Sequence, residues 1–128
     1  MKLRKLIPTF LLLTFVFIFG ASAVEIQPQA NKLFVHTEAV LSDKNSELQL
    51  YLYAYTNASN NKIGVSRIVL HDLSTGSESN YGASYSSGIS FEKTVLLSKA
   101  IKGHRYYADI TFSADGITTE CTSNTITF

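Results

Sequence analysis

Residues 47–55 read ELQLYLYAY. In an extended chain Leu48, Leu50, Leu52 and Ala54 fall on one side, and Gln49, Tyr51, Tyr53 and Tyr55 on the other. Strict alternation is the period-two pattern of a strand with one buried face. Tyrosine also suits a pleated surface. The stretch is therefore expected to be a central strand of an all-β domain. Its aliphatic side faces the core, and its tyrosine side is the most unusual surface feature of the chain.

Working outward, residues 42–46 (SDKNS) form a turn by composition. Before them, 32–41 reads as a strand with split parity: Leu33, Val35, Ala39 and Leu41 against Phe34, His36, Glu38 and Val40. A bulge midway would exchange its core face. Residues 24–31 contain Pro28 and read as a short lead-in or edge strand, since proline cannot donate to a central ladder. After the central strand, 56–61 (TNASNN) is expected to be a polar loop, and 63–73 a strand centred on Ile68-Val69-Leu70. Residues 74–88 are the longest irregular stretch, with room for one short edge strand. In 89–97, Ile89, Phe91, Val95 and Leu97 share one side, and Lys93 interrupts it, which predicts a bulge or a barrel-end position. A turn around Gly103 follows. Residues 105–113 then alternate, with Tyr106, Ala108, Ile110 and Phe112 inward and Tyr107, Asp109 and Thr111 outward. Asp115-Gly116 is a hairpin signal, and 117–128 is the last strand.

No window carries a helical stripe. Six or seven strands separated by turn signals predict an antiparallel β-sandwich or a barrel. The expected core is Leu48, Leu50, Leu52, Ile68, Leu70, Phe91, Val95, Ala108, Ile110 and Phe112.

The N-terminus is an address. Lys2, Arg4 and Lys5 precede an apolar run at 10–19 that only Thr14 breaks, and Gly20 leads to Ala21-Ser22-Ala23. A basic start, a short apolar middle and an A-x-A site describe a secretory signal peptide at 1–23, cleaved after Ala23. The alternative is an uncleaved anchor, but 6–20 is 15 residues, and a spanning helix needs about 20. Cleavage leaves 105 residues at 24–128, one domain's worth, with eight Lys and Arg against ten Asp and Glu. Such a near-neutral surface argues against nucleic acid, which needs a basic patch, and against an anionic membrane surface. No stable membrane insertion is expected after cleavage. Cys121 is the single cysteine, so no intramolecular disulfide forms. It reads as a small apolar residue in a late strand, with an intermolecular disulfide or reactive thiol as the sharper alternative.

The run GHRYYADITFSADGITTECTSNTITF at 103–128 resembles the C-terminal hairpin of short exported, largely uncharacterised β-sandwich proteins of Gram-positive bacteria. Lys62-Ile63-Gly64-Val65, leading to Ile68 and Leu70, and the early Gln27-Pro28 are similar too. The resemblance implies export and a single immunoglobulin-like sandwich of about seven strands, and it carries over no active site. Many such proteins have a tryptophan after the third main strand; here Tyr81 stands in that region. Tyr106 sits where a tyrosine corner is found in immunoglobulin-like sandwiches.

Catalytic and metal patterns are sparse. His36-x-Glu38 shares one strand face, but a zinc site needs three or four protein ligands and nothing nearby in sequence supplies them. His71 and Asp72 are neighbours and point to opposite faces of a strand. His104 lies in a turn. Gly82-Ala83-Ser84-Tyr85-Ser86 approaches the nucleophile elbow but lacks its last glycine and the helix that follows. No phosphate loop or calcium loop is present. Paired acids for glycosidase work do not stand out. Asn57-Ala58-Ser59 fits a glycosylation acceptor of the eukaryotic secretory route. No enzyme, cofactor or metal is expected.

The binding candidates are Tyr51, Tyr53 and Tyr55. Side chains two apart on a strand sit roughly 6.6–6.8 Å apart, so three rings make a platform for a sugar or a protein. The alternative is that cross-strand pairs simply pack them. Two function classes follow. One is a small secreted non-catalytic module that binds extracellular glycan, cell wall or protein. The other is a small secreted effector or inhibitor acting on a specific protein target.

Overall fold

The structure is a computed structural model and describes residues 34–128. The expected signal peptide at 1–23, its cleavage point and the lead-in strand at 24–31 lie outside the described residues. All regular elements among the described residues are strands: β1 (Phe34–Lys44), β2 (Glu47–Asp72), β3 (Glu78–Tyr81), β4 (Ser84–Leu96), β5 (Arg105–Ala114), β6 (Ile117–Thr122) and β7 (Ile126–Thr127). The described chain is all-β, as the alternation predicts. Every pairing is antiparallel, and the seven strands make one sheet curled into a half-barrel.

β2 organises that sheet. Its first half lies between β1 and the end of β4, and its second half pairs with β5 on one side and β3 on the other. The expected loop at 56–61 is instead continuous strand. Its register against β4 shifts between Tyr55 and Asn60 and again between Asn60 and Ile63, so the strand bends there. The polar residues serve the bend rather than solvent. Thr56 and Asn60 are buried. Asn60 Nδ2 donates to Thr56 Oγ1 at 2.7 Å and faces the Gly88 carbonyl at 3.1 Å. Thr56 Oγ1 lies 2.8 Å from the Ala58 carbonyl. Side chains thus replace ladder bonds that the irregular register leaves open.

Just beyond the bend, Gly64 opposes Tyr85. A Cβ at Gly64 would strike the Ser84 carbonyl oxygen and come within 2.8 Å of Tyr85 Cα. Only glycine lets β4 approach β2 this closely.

The core follows the predicted parity. Leu48, Leu50, Leu52, Ile68, Leu70, Phe91, Ala108, Ile110 and Phe112 are buried, and Val95 is half-buried against them. β1 has a bulge, but at its start between Phe34 and His36 rather than midway, so Phe34 as well as Ala39 and Leu41 packs on the core. Asn45 and Ser46, both at positive φ, make the β1–β2 turn, and Asp115 and Gly116 make the β5–β6 turn.

Four further expectations change. Residues 74–88 are mostly strand, holding β3 and the start of β4. Ile89 is exposed, because the irregular register opposite it turns it out of the core. No bulge occurs at Lys93: the register from Ser90 to Leu96 is unbroken, Lys93 opposes Leu52, and its ammonium donates to Ser84 Oγ at 3.0 Å. Among the described residues that part of β4 pairs with β2 alone, and the lysine stem leaves at this margin. The last strand is also split, into β6 and β7. Cys121, on β6, is a free thiol, half-buried against the core.

Candidate functional site: the outer tyrosine face

Because 47–55 alternates, burying its leucines turns Gln49, Tyr51, Tyr53 and Tyr55 to the outer face of β2. Directly opposed residues of antiparallel neighbours share a face. The register therefore builds four rows across β1, β2 and β4: Ser42–Gln49–Leu96, Val40–Tyr51–Thr94, Glu38–Tyr53–Glu92 and His36–Tyr55–Ser90. All three tyrosines are half-buried. They are flanked by these neighbours, and each keeps part of its surface in solvent.

Three contacts order the face. Tyr51 Oη donates to Glu92 Oε2 at 3.0 Å. His36 stands beside Tyr53 with ring centroids 6.0 Å apart at 50°, and its Nε2 lies 3.6 Å from Glu38 Oε2. Desolvation, then the hydrogen bond to Glu92 and its negative charge, hold the Tyr51 phenol above its usual value of 10.0. The phenol thus stays a donor at neutral pH. The four rows contain no lysine or arginine, and their carboxylates are Glu38 and Glu92. Val40 and Leu96 are exposed beside the rings, at 37% and 48%.

The second half of β2 carries a different cluster on its outer side. His71 Nε2 meets Asp109 Oδ2 at 2.8 Å, and His71 Nδ1 lies 3.4 Å from Glu78 Oε1. The imidazole stacks on Tyr107, with centroids 4.5 Å apart and planes at 9°. Thr122 Oγ1 donates to the other oxygen of Asp109 at 2.8 Å. His71, Glu78 and Asp109 border a shallow groove of about 220 Å³, completed by Arg67, Val69, Ile110, Thr111 and Glu120. The hydroxyl reaches the carboxylate rather than the ring, so no nucleophile–base contact forms. Sequence reasoning missed the cluster. His71 and Asp72 do point apart, as expected, but the partners of His71 come from β3 and β5 through register, and no local pattern announces them.

Asp72 turns inward and is buried. His104 Nδ1 donates to its Oδ2 at 2.7 Å, and the Ser74 and Thr75 amides donate to Oδ1 at 2.8 and 3.2 Å. Burial works against the Asp72 charge, but these donors outweigh it and hold the carboxyl below its usual value of 3.8. Tyr81 is half-buried at the core margin and accepts from the Lys99 amide at 3.1 Å. Ser84 opens β4, so a strand and no helix follows the elbow-like sequence. Among the described residues no group of three or more His, Cys, Asp or Glu is placed to hold a metal ion. Comparison with family models and with curated proteins finds no match.

Proposed function

We propose that this chain is a small secreted, non-catalytic binding module, and that the Tyr51–Tyr53–Tyr55 face is where an extracellular glycan or protein docks. The observation that carries this reading is the outer face itself: three half-exposed rings in consecutive rows, flanked on both sides and open outward. Tyrosine offers large contact area at small rotamer cost, so such a face binds without a deep pocket. Export rests on the N-terminal pattern at 1–23.

The same proposal takes the curled sheet as an immunoglobulin-like sandwich. Two features support it. Partners change at the bend of β2: β1 lies along its first half and β3 and β5, followed by β6, along its second, while β4 alone follows both, its end on the first and its start on the second. At the start of β5, Tyr106 Oη accepts from the Ile101 amide at 2.7 Å, the upstream backbone contact of a tyrosine corner.

Binding of the secreted chain to cell-wall, glycan and extracellular-protein fractions tests the reading. Tyr53→Ala should weaken it by about tenfold while the variant stays folded, as expected for an aromatic anchor. Undiminished binding by a folded variant with all three tyrosines replaced by alanine overturns it.

A further inference from the structure

We infer that the partner of the tyrosine face is a protein segment presenting a lysine or arginine side chain to the Glu38–Tyr53–Glu92 row. The inference rests on the proposed binding role of that face and adds its chemistry. Glu38 and Glu92 oppose Tyr53 from either side in the register, with the Glu92 carboxylate bonded to the Tyr51 phenol and that of Glu38 beside His36, so two carboxylates share the row with one ring. Adjacent strands are about 4.8 Å apart, which brings both acids within reach of a cation seated over the ring. An ammonium or guanidinium there gains the ring's negative face together with charge-assisted hydrogen bonds. Among the described residues, the four rows hold no lysine or arginine. His36, 3.6 Å from Glu38 and 6.0 Å from the Tyr53 ring, already occupies one flank of such a seat.

The rest of the face favours a protein as the source of the cation over an amino sugar. Val40 and Leu96 are exposed beside Tyr51 and Gln49. Tyrosines with exposed aliphatic neighbours are enriched at protein interfaces. A polyhydroxylated ligand would leave Val40 and Leu96 facing hydroxyl groups and gain little from them.

Titration with a hexalysine peptide, its Nε-acetylated counterpart, a chitosan oligomer and a neutral glucan oligomer decides the matter. Hexalysine should bind more tightly than the other three, and acetylation should abolish the difference. Glu38→Gln combined with Glu92→Gln should weaken hexalysine about tenfold, as the loss of two partly exposed ion pairs predicts. Glu38→Gln alone, which spares the Tyr51–Glu92 hydrogen bond, should account for part of that loss. Glu78→Gln with Glu120→Gln removes the same charge at the His71 groove and should leave affinity within about twofold, since distant exposed charges are screened. Equal losses from the two double variants, or no hexalysine binding, overturn the inference. A chitosan oligomer bound as tightly as hexalysine overturns the assignment to protein. If the neutral glucan binds best and Tyr53→Ala alone abolishes it, the face remains a binding site and the basic partner is rejected. If the folded triple-tyrosine variant binds every probe like the parent, the face itself is rejected.

Discussion

The side-chain amide of Asn124 satisfies both outward hydrogen-bonding groups of Leu41: Oδ1 accepts from its N–H at 2.7 Å, and Nδ2 donates to its carbonyl at 3.0 Å. A carboxamide carries the donor and acceptor of a peptide unit, so Asn124 stands in for one residue of a missing neighbouring strand. Leu41 belongs to β1, and Asn124 follows β6; these are the two ends of the strand path β1-β2-β5-β6. The contact therefore ties together the open margins of the half-barrel. Asn124→Ala strips two partners from a residue whose side chain is buried. A loss of about 1–2 kcal/mol is expected, measured by urea denaturation. Asn124→Asp lacks the donor and sets a carboxylate against the Leu41 carbonyl, so it should not restore stability.

Two glycines give a paired test of strand spacing. Gly64→Ala places a methyl against the backbone of Ser84 and Tyr85, which cannot rotate away as a side chain can. The cost should reach about 3 kcal/mol, the upper end of ordinary overpacking. Nothing lies within 4 Å of a Cβ added at Gly82, so Gly82→Ala should leave the melting temperature nearly unchanged. Similar melting curves for the two variants would show that β4 does not pack on β2 as described.

The faces of β2 separate energetically. Leu50 is fully buried, whereas Gln49 is half-buried on the outer face. Leu50→Ala should cost about 2–5 kcal/mol by lost burial and a residual cavity. Gln49→Ala should cost far less. Equal effects in thermal melts would mean the strand is set one residue out of register, since a single slip exchanges the faces.

Acid stability should depend on Asp72. Its folded value lies below the unfolded one near 3.8, so ionised Asp72 adds stability throughout the range above 3.8. That contribution fades as pH falls through the lower folded value. His104→Ala removes the 2.7 Å donor while the carboxyl remains buried. The variant should begin to unfold at a higher pH than the parent in an acid titration followed by circular dichroism. Superimposable acid curves would mean that His104 does not sustain the Asp72 charge.

What the sequence determined by itself is local. In 47–55 and 105–113 each residue's face follows from its immediate neighbours, because side chains alternate with period two whatever the strand pairs with. The core parity and the Asp115-Gly116 turn were legible for that reason, and so was the tyrosine stripe. Tertiary structure decided everything that depends on partners far along the chain. TNASNN looks like a solvent loop until Gly88 and Ile89 arrive to accept bonds from Asn60 and Thr56. His71 meets Asp109 and Glu78 only because β5 and β3 take particular registers against β2. Glu38 and Glu92 flank Tyr53, and Asn124 reaches Leu41 across 83 positions, for the same reason. Register is set by burying one face of each strand against others, a collective outcome of packing that no single stretch of residues encodes.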